Sequence, residues 1–203
     1  MEKITSLDQL DLSKQYSYAD YITWLFDERI ELLKGFIRKI AAPNRKHQEI
    51  SFRLSGLFSN FLSRKKCKAY AAPFDVRLLK NPQGKTKKEM YTVVQPDLCV
   101  ICDRSKLDDA GCVGAPDLII EIVSPKNSAI DVTHKFALYQ EACVLEYWII
   151  YPYENTLHKF VLENEKYVLE GIYTQENKIS TSVLEGLEID LSEVFEEDEE
   201  EIF

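Results

Sequence analysis

The stretch Pro116-Asp-Leu-Ile-Ile-Glu-Ile-Val-Ser-Pro125 decides the fold. From Asp117 to Val123 it reads as a strand that, after Asp117, is apolar at consecutive positions, Glu121 excepted. Side chains alternate across a strand, so such a run must be covered on both faces. That is the position of a central strand with a layer packed on each side. Glu121 is the anomaly within it. A buried acid costs several kcal/mol unless it is paired or binds a metal. Lys135 is one candidate partner, and a cation is the other.

Downstream, Asp131 to Ala142 has the spacing of a helix, with Phe136, Leu138 and Tyr139 apolar. Glu146 to Tyr151 is a strand, and Thr156–Leu162 with Lys166–Tyr173 forms a hairpin across Glu163-Asn-Glu165. Upstream, Val93 to Cys102 and Ala69 to Leu79 read as single strands. Asp103 to Gly114 reads as a polar connection, and Asn81-Pro-Gln-Gly84 as a turn. His47 to Leu62 is an amphipathic helix with Ile50, Leu54, Leu57, Phe58 and Phe61 on one face. Arg29–Lys34 and Phe36–Ala41 flank Gly35 as a hairpin. Ser17-Tyr-Ala-Asp20 is a capping box opening a short helix that ends near Phe26. The expectation is an α/β protein with a central mixed sheet, flanking helices and extra hairpins.

At 203 residues, 45% hydrophobic and 29% charged, the chain has the composition of one globular domain. We place that domain at residues 1–192, with an acidic, self-repelling tail at 193–203. No apolar run reaches the roughly 18–20 residues of a membrane span, and the first twelve residues lack a signal-peptide core. The expected location is cytoplasmic, with no membrane partner. Cys99 and Cys102 form a CxxC, but on one strand they point to opposite faces, and no second pair or nearby His completes a zinc site. All five cysteines are read as small buried hydrophobes.

The net charge of −9 argues against a nucleic-acid partner until its distribution is examined. From Lys34 to Lys88 there are fifteen Lys and Arg and two acids, Glu49 and Asp75. A basic surface is therefore compatible with an acidic total. The candidates for phosphate contact are Arg64, Lys65, Lys66, Lys85, Lys87 and Lys88, expected to flank the site, with solvated surface as the plainer reading.

Asp97 follows Pro96 at a strand start, 24 residues before Glu121. If the two strands are sheet neighbours, their carboxylates converge, which suits Mg²⁺ or Mn²⁺. Asp117 lies four residues from Glu121, about 13 Å along a strand, too far to share one ion. It is read as a strand-start residue.

Pro-Asp, a gap, then Glu-x-Lys is the signature of the PD-(D/E)xK nucleases. Val123 stands in the lysine position, so the cation must come from elsewhere, and Lys135 is the candidate. The longer pattern resembles the Uma-two family of restriction endonucleases, a branch of that superfamily. It comprises Pro96-Asp-Leu98, Gly114-Ala-Pro-Asp-Leu118, Glu121 with Ser124-Pro125, Asp131 with Lys135 and Tyr139, and Glu146-Tyr-Trp148. Ile30-Glu-Leu32 with Gly35, His47-Gln48, Pro73-Phe-Asp-Val76 and Leu184-Glu-Gly-Leu187 extend it from about Ser17 to Phe195. Ile30 stands in place of the family's usual Tyr, and Cys143 in place of a Gly. The resemblance implies a restriction-endonuclease-like fold and metal-dependent hydrolysis of DNA phosphodiesters. Asp97, Glu121 and the main-chain carbonyl of Ile122 would hold Mg²⁺ or Mn²⁺. Lys135 would serve the attacking water or the scissile phosphate, with Glu31 and His47 near the site. A solvated Glu31 and a capping or core His47 are equally open. The alternative function is a catalytically silent nucleic-acid-binding or assembly module on the same fold. RNA is the alternative substrate, and a second copy of the chain is a candidate partner.

Overall fold

The computed structural model describes residues 3–80, 85–124 and 128–196. Among the described residues the α-helices are α1 (Tyr18–Tyr21), α2 (Arg45–Leu62) and α3 (Ser128–Glu141). The main sheet uses β3 (Lys68–Ala71), β6 (Leu98–Ile101), β9 (Leu118–Ile122), β10 (Glu146–Tyr151), β11 (Thr156–Glu163) and β12 (Lys166–Thr174). Its spatial order is β12-β11-β10-β9-β6-β3. β9 and β10 are parallel, joined through α3, and the remaining pairs are antiparallel. A second sheet contains β1 (Ile30–Leu33), β2 (Phe36–Lys39), β4 (Val76–Arg77), β5 (Val93–Val94), β7 (Leu107–Asp108) and β8 (Gly111–Val113), in the order β2-β1-β5-β4-β8-β7. β13 (Lys178–Ser180) and β14 (Glu188–Asp190) pair separately.

The alternation along β9 produces two apolar layers. Leu118, Ile120 and Ile122 pack with Ile50, Leu54 and Phe58 of α2 and with Trp148. Ile119 and Val123 pack on the opposite face with Leu138 and Tyr139 of α3 and with Val76 and Val94 of the second sheet. The strand is thus covered on both sides, as its unbroken apolar run requires.

Both long upstream strands are split by proline. Ala69–Leu79 divides at Pro73 into β3 and β4, and Val93–Cys102 divides at Pro96 into β5 and β6. Proline has no N–H for a ladder, and at each break the chain leaves one sheet for the other. The polar connection expected from Asp103 to Gly114 holds β7 and β8, because Arg77 is buried there and donates to Asp108 at 2.9 and 2.6 Å. The helix from Tyr18 stops at Tyr21 rather than near Phe26. The β1–β2 turn has Lys34 and Gly35 at φ 52° and 90°. A Cβ at Gly35 would lie 2.9 Å from Gln15 Cβ, so this turn needs glycine.

Two further expectations change. Cys67 and Cys102 form a disulfide. They stand one step beyond the Lys68–Ile101 pair of the β3–β6 ladder, so the register sets them face to face. Cys99 and Cys112 are free and buried, and Cys143 is free and partly exposed. The domain also extends past residue 192, since Val194 and Phe195 are buried in the α2-side core. The rest of the tail, residues 197–203, and the turn at 81–84 lie outside the described residues.

Candidate active site

The β6–β9 ladder pairs Leu98 with Ile120 and Cys99 with Ile119. One step further, that register sets Asp97 opposite Glu121. Directly opposed residues on one face have Cβ atoms about 4.5–5.5 Å apart. The Ile122 N–H donates to Asp97 Oδ2 at 2.8 Å, and His47 Nε2 meets the same oxygen at 3.2 Å. Asn44 caps α2 by accepting the His47 N–H at 2.9 Å, which fixes the first turn and the imidazole with it.

On the other side, α3 lies along β9. Lys135 and Tyr139 are four residues apart and share one helix face. Both donate to Glu121 Oε1, Lys135 at 2.9 Å. Lys135 also pairs with Glu31 Oε1 at 2.8 Å, and that oxygen accepts the Gln95 N–H at 2.8 Å. Glu31 is held on β1, so three strands and two helices converge. The side chains of Glu31, His47, Asp97, Glu121 and Lys135 are only 3–19% exposed.

Three carboxylates face one ammonium and one imidazole in this enclosed space. Burial pushes the Glu121 pKa up to about 7, the charges of Asp97 and Glu31 add to the rise, and Lys135 and the Tyr139 hydrogen bond oppose it. Burial disfavours a charged Lys135, but the Glu121 and Glu31 carboxylates outweigh it and hold the ammonium well above its ordinary value. Burial likewise opposes a charged His47, and the Asp97 hydrogen bond with the Asp97 and Glu121 charges raises its pKa in spite of it.

A cavity of about 160 Å³ opens over these groups and is also lined by Arg29, Arg38 and Ile122. Asp97 Oδ1 and Glu121 Oε2, the second oxygen of each opposed carboxylate, accept no hydrogen bond from any described residue. Two opposed carboxylates are a donor set for a hard divalent ion, which binds through one or two carboxylates and keeps its remaining waters. Among the described residues no group of three or more His, Cys, Asp or Glu side chains is placed to hold a metal ion.

All five side chains expected at the site, Glu31, His47, Asp97, Glu121 and Lys135, meet in this cavity, and Ile122 lines it. Tyr139 does not line the cavity but donates to Glu121 from the core, and its i, i+4 spacing from Lys135 was the signal for it. Asp117 is elsewhere, accepting the Cys102 N–H at 2.7 Å. The lysine and arginine clusters expected to flank the site do not line it. Arg64, Lys65 and Lys66 follow the far end of α2, about 25 Å along its axis from His47. Lys85, Lys87 and Lys88 lie around a 3-10 turn that packs on α1, and Lys85 pairs with Glu89 at 3.2 Å. Of the basic stretch, β2, the start of α2 and Ala72 reach the cavity. Among the described residues no helix is long and apolar enough to cross a membrane.

Residues 18–192 match the family profile Uma2, described as "Putative restriction endonuclease". An uncharacterized protein of Synechocystis, slr1290, is 29% identical over 136 residues, covering 66% of this chain and 67% of that one. A solved structure from Anabaena variabilis, described as a "putative nuclease belonging to DUF820", superposes with a TM-score of 0.68 at 17% identity. It covers 89% of this chain and 97% of its own, a likeness of fold. With the profile spanning nearly the whole molecule, the chain belongs to the Uma2 family.

Proposed function

We propose that the protein is a divalent-metal-dependent nuclease that hydrolyses phosphodiester bonds in DNA. Asp97, Glu121 and the Ile122 main-chain carbonyl would hold Mg²⁺ or Mn²⁺. One observation carries the reading. The β6–β9 register opposes two carboxylates, each with one oxygen that accepts from no described residue, on the wall of a cavity. A bound ion there supplies Lewis acidity toward a phosphoryl oxygen and lowers the pKa of a coordinated water.

The chain's own groups do the rest. Lys135 holds one oxygen of Glu121, which lines the cavity, and its ammonium offsets negative charge on an entering phosphate. Glu31 is the second acceptor that orients Lys135. Tyr139 fixes Glu121 from the helix side, and His47 fixes Asp97. The lysine missing at position 123 is thereby replaced from α3.

A second reading, a silent module on the same fold, is favoured by the same ion pairs. Lys135 already compensates Glu31 and Glu121 without a metal. Calorimetry with Mn²⁺ separates the two. The nuclease reading expects binding to wild type that is lost in Glu121→Ala and Asp97→Ala, with Mn²⁺-dependent cleavage of labelled DNA lost in parallel. Equal Mn²⁺ binding by wild type and both variants would rule it out.

A further inference from the structure

The cavity has a basic mouth, and strand register builds it. In the β1–β2 hairpin Glu31 lies opposite Arg38. Arg29 is two residues before Glu31 and on the same face, and its carbonyl accepts the Ile40 N–H, continuing the ladder. Arg29, Glu31 and Arg38 therefore share the face turned toward the acids, and both arginines line the cavity.

Arg29 is held in place. Its Nε and Nη2 donate to Gln95 Oε1 at 3.2 and 3.0 Å. Gln95 is fixed in turn by its N–H on Glu31 and by its side-chain amide on Asp75 Oδ1 at 2.9 Å. Arg29 Nη1 has no acceptor among the described residues. A guanidinium fork matches the spacing of phosphate oxygens and stays charged at any working pH. A site with three carboxylates and one ammonium also needs cations at its mouth if a polyanion is to approach it.

Resting on the nuclease reading above, we propose that Arg29 and Arg38 form the clamp that binds backbone phosphates of the DNA strand entering the cavity.

The test is fluorescence anisotropy with a labelled mixed-sequence DNA duplex, in EDTA, over a range of NaCl concentrations. Each lost phosphate contact flattens the slope of log K against log salt by about 0.9. Arg29→Ala/Arg38→Ala should flatten it by up to about two units, while Arg38→Lys keeps the slope. The triple variant Lys85→Ala/Lys87→Ala/Lys88→Ala should also keep it. Should the double variant lose its cooperative melt, Arg38→Gln alone carries the test, with about one unit expected. A wild-type slope in a folded Arg29→Ala/Arg38→Ala variant overturns the clamp and leaves the nuclease reading standing. A wild type with no salt-dependent DNA binding overturns both.

Discussion

At the residue scale, Lys135 is the hinge of the site's charge balance. Removing one partner of a buried ion pair costs about 3–5 kcal/mol, because a buried charge is left uncompensated. Lys135→Met strands both Glu31 and Glu121, so urea denaturation without metal should show a loss of that size. In a Glu121→Gln background the same substitution should cost less, and equal costs would show that the pair is not coupled. Glu121 also sets a pH dependence. Its pKa in the folded protein is raised to about 7, so the folded state binds a proton more readily than the unfolded chain. The associated stability is complete below the ordinary carboxylate range and is lost as pH rises through about 7. His47, also raised, acts in the same direction. Urea midpoints in EDTA should fall between about pH 5 and pH 8. Glu121→Gln should flatten that fall and leave the His47 part.

At the element scale, the start of α2 supplies His47 and so links a helix cap to the site. Asn44 accepts the His47 N–H and also donates to the Tyr153 hydroxyl at 3.3 Å. Asn44→Ala should cost about 1 kcal/mol by urea denaturation, with Asn44→Ser retaining most of it. An unchanged midpoint in Asn44→Ala would mean the cap is dispensable. The helix itself was legible from its periodic apolar face, and the β1–β2 hairpin from its flanking strands and glycine. The two strands broken at Pro73 and Pro96 were not. Apolar residues continue through Pro73, Gln95 and Asp97 flank Pro96 between two apolar halves, and only the assignment of each half to a different sheet reveals the break.

At the scale of the whole molecule, the C-terminal segment closes the core. Phe195 is 2% exposed and packs in the layer between α2 and the main sheet. Phe195→Ala should cost about 3–5 kcal/mol, read as a lower urea midpoint, whereas a mobile tail from residue 195 onward would predict none. Folding also redistributes the charge that is segregated along the chain. Lys34, Arg53 and Lys80 find acids 107, 143 and 85 residues away. What the sequence by itself determined was local and compositional: a strand buried on both faces, an acid within it that demanded a partner, and a helix bearing the cation that could meet it. Those follow from periodicity and from the cost of burying charge. The tertiary structure alone decided which oxygens stand opposite one another, which cysteines meet, and which cations face the cavity. A one-residue change of register turns a side chain to the other face, and no local pattern fixes the register between strands far apart in the chain.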